Sequence, residues 1–210
     1  MTMTKNTVEL IGHYGSDESH ALSAWTSTSR ELTDEKRERI PQMLMRLAAD
    51  GHHSVFEKST LHFLVNTDIA THIQILKHRI GVSVNAESAR YKELKEDKIY
   101  IPDDWPVEWR ERLENFCDCG NRLYHECVSD LTPLLGRKRA KESARFFKTY
   151  NSQITADVMF NFRSFYHFQK LRNEENAQVE IQNIAKEMLN AVKSIEGNPF
   201  RYTLQAFCLD

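Results

Sequence analysis

The sequence predicts an α+β fold in a single domain, residues 1–210. Three observations lead there. Short alternating apolar segments lie in the first half, helical periodicity fills the second, and no linker separates them. With only five prolines and seven glycines, and no Ser/Gly- or Pro-rich tract, the chain offers no obvious place to cut.

TVELIGHY at 7–14 has the short apolar content of a first strand. Residues 16–29 are expected to hold a helix and a loop ending in AWTSTS. From Thr33 to Asp50 the pattern is helical: Thr33 can cap, and Ile40, Met43, Leu44 and Leu47 make one stripe. Pro41 is expected to mark a boundary near its start, and Gly51 ends it. Residues 59–66 alternate Leu61, Phe63 and Val65 with polar partners, the pattern of a half-buried strand. A helix is expected from about Asp68 to Arg79, burying Ile69, Ile73, Leu76 and Ile80 on one face. Gln74, Lys77 and His78 share a second face at i, i+3 and i+4.

Gly81 then breaks the helix and opens a loop to Ser88, and SARYKEL reads as a short extended segment leading to IYIPDDWP. Beyond it, Pro106–Leu134 reads as one long or broken helix, GRKRAKESARFF begins another, and Ala156–Leu171 forms a third. Asn173 is expected to cap a last helix that aligns Ala177, Ile181, Ile184, Met188 and Val192.

The apolar fraction of 40% can fill a sizeable core, and a net charge of −2 gives no global field toward nucleic acid or an anionic membrane. Any anion must therefore meet a local cluster of cations. MTMTKNT has no apolar run, so no signal peptide is expected, and nothing approaches the length of a membrane span. A reduced, cytoplasmic protein with ordinary thiols is expected. Cys117-x-Cys119 lacks a second ligand pair nearby, and His52-His53 lacks third and fourth ligands at helical spacing, so no metal is expected.

Two segments carry candidate chemistry. HRIGVSVNAESARY at 78–91 crowds two arginines, a histidine and two serines around one glycine. Guanidinium forks suit phosphate and the carbonyl edges of planar rings, and serines with backbone amides after Gly81 can complete an anion cradle. The alternative is a surface loop whose arginines pair with Glu87 and Glu93. In NFRSFYHFQKLRNEENAQVEI at 161–181, Arg163 and His167 stand at i, i+4, and Arg172 precedes Asn173. Phe160, Phe162, Phe165 and Phe168 read as core, and arginines on the buried side of such a helix require an anionic partner. Arg137, Lys138 and Arg139 read as a solvated face, whereas Arg145 beside Phe146 and Phe147 lies near the apolar side.

Together these segments resemble the flavin-dependent thymidylate synthases, the ThyX family. The family signature is Arg-His-Arg, seven residues, Ser, then Arg-Tyr. Here Lys77-His78-Arg79 is followed after eight residues by Ser88, Ala89, Arg90 and Tyr91. GHHSVFE at 51–57 resembles the family's Gly-His-Glu-x-x-Phe-Glu, and Tyr100-Ile101-Pro102 its Tyr-Ile-Pro. Arg145 stands sixteen residues before Asn161, and Asn161-x-Arg163-Ser164, Leu171-Arg172 and Ala177-Gln178-x-Glu180-Ile181 follow in the family's order. The similarity spans about residues 7–207.

The resemblance implies a small, mainly antiparallel twisted sheet flanked by several helices. It implies an enzyme making dTMP from dUMP, with FAD as cofactor and methylenetetrahydrofolate and NADPH as co-substrates. On the dUMP side it places Gln74, Ser88, Arg90, Arg145 and Arg172. The flavin side takes Ser27, His52, Glu57, Lys77, His78, Arg79, Glu87, Asn161, Arg163 and His167. Catalysis falls to Arg172 and Ser88, the serine as a nucleotide contact rather than an attacking group. The family assembles as a homotetramer with sites shared between copies.

Several positions depart from the family. Lys77 keeps a charge but loses the bidentate fork, Gly81-Val82 lengthens the loop by one residue, and Asn176 replaces a common histidine. A diverged pyrimidine-nucleotide hydroxymethylase or methylase, and a flavin- or nucleotide-binding homologue without turnover, are the alternative readings.

Overall fold

A computed structural model describes residues 2–88 and 92–210. Strands are β1 (Thr2–Met3), β2 (Thr7–Tyr14), β3 (Thr60–Asp68), β4 (Val82–Ala86), β5 (Lys98–Ile99) and β6 (Gln153–Phe160). Helices are α1 (Asp17–Trp25), α2 (Asp34–Ala49), α3 (Ile69–Ile75), α4 (Val107–Leu135), α5 (Arg137–Ala144), α6 (Phe162–Arg172), α7 (Val179–Lys193) and α8 (Arg201–Ala206). The four-stranded antiparallel sheet has the order β2-β3-β6-β4, and β1 and β5 form a separate parallel pair. This is the α+β class that the sequence predicts.

Local chemistry explains most element ends. Ser16 and Ser19 form a capping box at α1, and the Thr33 side chain accepts the Lys36 N–H at the start of α2. α2 runs through Pro41 without a boundary there, forgoing one backbone bond instead of ending.

Four further sequence expectations are corrected. First, α3 stops at Ile75, where the His78 N–H bonds the Ile75 carbonyl and closes a tight turn. Its buried positions are Thr71, His72 and Ile75, whereas Ile73, Leu76 and Ile80 are exposed. Second, Val82–Ala86 is a strand, not a loop. Third, Ala156–Leu171 is two elements: Ala156, Val158 and Phe160 alternate inward along β6, and the helix begins only after Asn161. Fourth, Asn173 closes α6 rather than opening α7, whose N-cap is Gln178, so Ala177 lies outside it.

The chain divides into two compact units, each built from several stretches. One comprises Met1–Asn6, Asn66–Gln74 and Asn85–Ala156; the other comprises Thr7–Val65, Ile75–Val84 and Asp157–Asp210. In the first, α4 and α5 lie against each other, and Tyr124, Val128 and Ala144 pack together. Gly120 lets α4 approach the 3-10 turn at Arg145–Phe147: a Cβ there would sit 2.6 Å from the Phe147 carbonyl oxygen. Arg145, Phe146 and Phe147 are exposed, so that arginine is not on an apolar side.

The second unit has an aromatic core. Phe56, Phe63, Phe160, Phe162, Phe165, Phe168 and Phe200 are fully buried, with Phe63 stacked on Phe165. His20, 0% exposed, is held through Nδ1 by Thr203 Oγ1 at 2.9 Å and through Nε2 by Ser59 Oγ at 2.8 Å. Thr203 Oγ1 donates to Asp17 at 2.6 Å, and Asp17 also accepts the Tyr202 and Thr203 N–H groups, tying α8 to α1. Burial pushes the His20 pKa down to about 4 and raises that of Asp17. Serine, histidine, hydroxyl and carboxylate follow in the order of a nucleophilic relay, but Ser59 and His20 are sealed from solvent. The chain of bonds is a structural tie.

Candidate functional site

The 75–84 segment and α6 meet within the second unit. Asn161 caps the helix by accepting the Ser164 N–H at 2.9 Å, and its own N–H donates to the Gly81 carbonyl at 3.1 Å. Ser164 Oγ donates to the Ile80 carbonyl at 2.7 Å. These bonds hold Gly81 at a φ of 66°, and a Cβ there would overlap the Asn161 and Ser164 side chains. Gly81→Ala is expected to lower the urea midpoint, at a cost of about 1–3 kcal/mol. An unchanged midpoint would show that the clasp is not what holds this turn.

One and a half turns further along α6, His78 packs edge-on to Phe168 at 5.0 Å and lies 5.9 Å from the His167 ring. The last residue of α6, Arg172, donates Nε–H to His78 Nε2 at 3.0 Å. His78 is 8% exposed, and its pKa falls to about 4, through burial first and then the neighbouring Arg172 and His167. The imidazole is therefore neutral near pH 7, with its lone pair on Nε2 and its proton on Nδ1. Arg163 lies on the outer, exposed side of α6 rather than on its buried side, so its charge is solvated and needs no anion, and it donates to Glu57 at 2.6 Å.

Of the expected flavin residues, Glu57, His78, Asn161, Arg163 and His167 thus gather along α6. Lys77 and Arg79 flank His78 and are exposed. Ser27 and His52 are also exposed; Ser27 donates to the Ala24 carbonyl, and the His52 N–H bonds Leu47.

The remaining candidates belong to the first unit. Gln74 and Ser88 are half-buried there, Arg145 is exposed, and Arg90 lies outside the described residues. The Glu87 carboxylate accepts from Lys92 at 2.7 Å and from the Thr155 N–H at 3.0 Å. Burial works to raise its pKa, but these bonds outweigh it and hold the carboxylate below its ordinary value. Glu87 lines a cleft of about 430 Å³ with Asn66, Lys92, Asp97, Lys148 and Thr155.

Sequence reading gave no sign of the group that anchors this wall. The Lys148 side chain, 4% exposed, donates to Asp97 at 2.6 Å and to Asn121 at 2.7 Å, and lies over the Tyr124 ring. Asp97 also receives His125. These partners are far apart in sequence and follow no local pattern. Among the described residues the four cysteines are free thiols, and no cluster of three metal-binding side chains forms. No helix among them is long and apolar enough to cross a membrane.

The family model described as thymidylate synthase complementing protein matches residues 9–196. A flavin-dependent thymidylate synthase from Pseudothermotoga lettingae is 34% identical over 196 residues, covering 90% of this chain and 85% of that protein. One from Thermotoga neapolitana is 31% identical over 210 residues, covering 98% and 92%. A crystal structure of the UMP/dUMP methylase PolB from Streptomyces cacaoi with 5-Br dUMP superimposes with a TM-score of 0.81, at 24% identity, covering 99% of this chain and 97% of that one. At that identity the likeness concerns the fold.

Proposed function

The chain belongs to the thymidylate synthase complementing protein family, and from that premise we propose that it is a flavin-dependent methyltransferase converting dUMP to dTMP. Methylenetetrahydrofolate is the carbon donor and NADPH the reductant. The observation that carries the reading to this chain is the fixed cation at the end of α6. Arg172 is anchored by its Nε–H on the buried imidazole of His78, which places a fixed positive charge where a developing negative charge would gain from it.

The residues present fit a flavin dinucleotide by their chemistry. Lys77 and Arg79 offer exposed cations to a pyrophosphate, while Asn161, Arg163 and His167 on α6 supply polar groups beside them. Bound FAD would supply the redox chemistry. Ser27, His52, Glu57 and Glu87 complete the proposed flavin set, and Gln74, Ser88, Arg90 and Arg145 the proposed nucleotide set. Arg172 holds positive charge at the uracil edge as C5 becomes nucleophilic. Assembly into a homotetramer with shared sites accords with the bare Ile80 side chain, 90% exposed beside His78 and Arg79.

The test is purified protein supplied with FAD, dUMP, methylenetetrahydrofolate and NADPH, with the product identified by mass. The expected outcome is a yellow protein that forms dTMP. A hydroxymethylated product would favour the diverged pyrimidine-modifying enzyme instead, and flavin reduction without any product would favour the binding homologue. Failure to take up FAD would overturn the flavin reading altogether.

A further inference from the structure

We propose that Lys148 is a positioning residue for the nucleotide, acting through Arg145 and the segment that follows Ser88, which its buried ion pair with Asp97 holds in one fixed relation. This role rests on the reading of Ser88, Arg90 and Arg145 as dUMP contacts, and says what keeps them in register.

Lys148 joins the two by both of its ends. Its backbone N–H donates to the Arg145 carbonyl at 3.1 Å and closes the 3-10 turn Arg145–Phe147. Its side chain crosses to Asp97 at 2.6 Å and to Asn121 at 2.7 Å, with Nζ 4.4 Å from the centre of the Tyr124 ring. Two acceptors and an aromatic face suit the three donors of an ammonium, so the group is held in one orientation. At 4% exposure it is shielded from water and salt. The Arg145 side chain is exposed, so its placement comes from the turn that carries it rather than from packing of its own.

Asp97 is held as firmly. His125 Nε2 lies 2.9 Å from its second carboxylate oxygen. Its backbone sits at a φ of 44°, a left-handed conformation that a non-glycine residue keeps where its surroundings over-determine it. Burial alone would raise its pKa, but the bonds from Lys148 and His125 outweigh burial and hold the carboxylate below its ordinary value. The rest of the segment is fastened to α4 and α5: Tyr124 Oη accepts the Leu94 N–H at 3.1 Å, and Arg137 donates to Glu93 at 2.6 Å. The Lys92 N–H donates to the Ser88 carbonyl at 3.0 Å, which carries the fastening back to the expected nucleotide contact.

The experiment measures dUMP binding by equilibrium dialysis on FAD-loaded protein, with kcat, flavin content and melting temperature read on the same samples. The variants are Lys148→Met, Lys148→Met with Asp97→Asn, and Arg145→Ala. Lys148→Met leaves the Asp97 carboxylate without its cation and is expected to lower the melting temperature; the double variant removes both charges and recovers most of it. Affinity for dUMP is expected to fall by about tenfold in both, the scale of one charge-assisted hydrogen bond made poorly. Flavin is retained, and kcat at saturating dUMP changes less than affinity. Weak dUMP binding that persists in the double variant after stability has returned separates positioning from folding.

Affinity that returns together with stability makes the pair a fold element and overturns the positioning role. Normal dUMP binding by Lys148→Met, while Arg145→Ala binds weakly, overturns it too and leaves the reading of Arg145 intact. Normal binding by Arg145→Ala overturns that reading and the inference with it. Where the Lys148 variants fold poorly, Asp97→Asn keeps an oxygen for Lys148 to donate to and decides the question. Weaker dUMP binding at the parental melting temperature supports the role, and unchanged binding overturns it.

Discussion

Replacing Arg172 with alanine is expected to lower kcat by about 100-fold or more while FAD stays bound, the scale seen when one preorganised charge or donor is removed from a developing anion. The size of the effect follows from how firmly the guanidinium is placed. Arg172 ends α6, and the residue before that last turn, Gln169, donates to the Ala185 carbonyl on α7 and accepts from Asn173. The helix end is thereby fixed to a neighbouring helix before His78 fixes the side chain. A charge held in this way requires no reorganisation as a reaction proceeds, and in the role proposed for Arg172 its deletion would remove an interaction strongest in the transition state. Arg172→Lys is expected to recover little, because an ammonium lacks the Nε–H geometry that meets His78. Rapid-mixing kinetics on flavin-loaded protein would measure both variants. Near-normal kcat in Arg172→Ala would remove this residue from the chemistry.

The sequence made individual hooks legible but not their pairings. Arg172 and His78 were both recognisable as candidates, yet nothing within either segment says that they bond, since 94 residues separate them. Arg163 reads as a buried-side arginine but is exposed, and the carboxylate it meets, Glu57, comes from a turn on the far side of β3 in sequence. Thr33 and the Thr33–Asp50 helix were readable because a cap and a stripe agree within one segment. The β6–α6 junction was not. Ala156, Val158 and Phe160 alternate, and Phe162, Phe165 and Phe168 follow helical spacing, so one apolar run conceals a change of period at Asn161. α3 misled in the opposite way. Its isoleucine stripe faces outward while Thr71 and His72 are buried, an inversion that only tertiary packing sets.

Acidification is expected to cost the fold about 2 kcal/mol between pH 7.5 and pH 5 through His20 alone. Unfolded, this histidine takes a proton near pH 6.5; folded, burial holds its pKa at about 4. Between those values the unfolded chain binds the additional proton, so stability rises with pH across the window. The contribution is complete above about pH 6.5, falls progressively below it, and is gone once the pH passes through 4, after a total loss of about 3 kcal/mol. Because Thr203 Oγ1 donates to Asp17 and so accepts from Nδ1–H, protonation would turn Nε2 from an acceptor of the Ser59 hydroxyl into a donor in that sealed pocket. Asp17 opposes this at the acid end. Its raised pKa means that the folded state accepts that proton more readily, which offsets part of the loss. Carboxylates elsewhere add their own slope, so the informative measurement is a difference: urea midpoints at pH 7.5 and 5.0 for the parent and for His20→Gln. The variant should be less stable at pH 7.5, because its amide cannot serve both Ser59 and Thr203 as the ring does, yet lose about 2 kcal/mol less on acidification. Equal losses in the two proteins would mean that His20 is not the group that titrates.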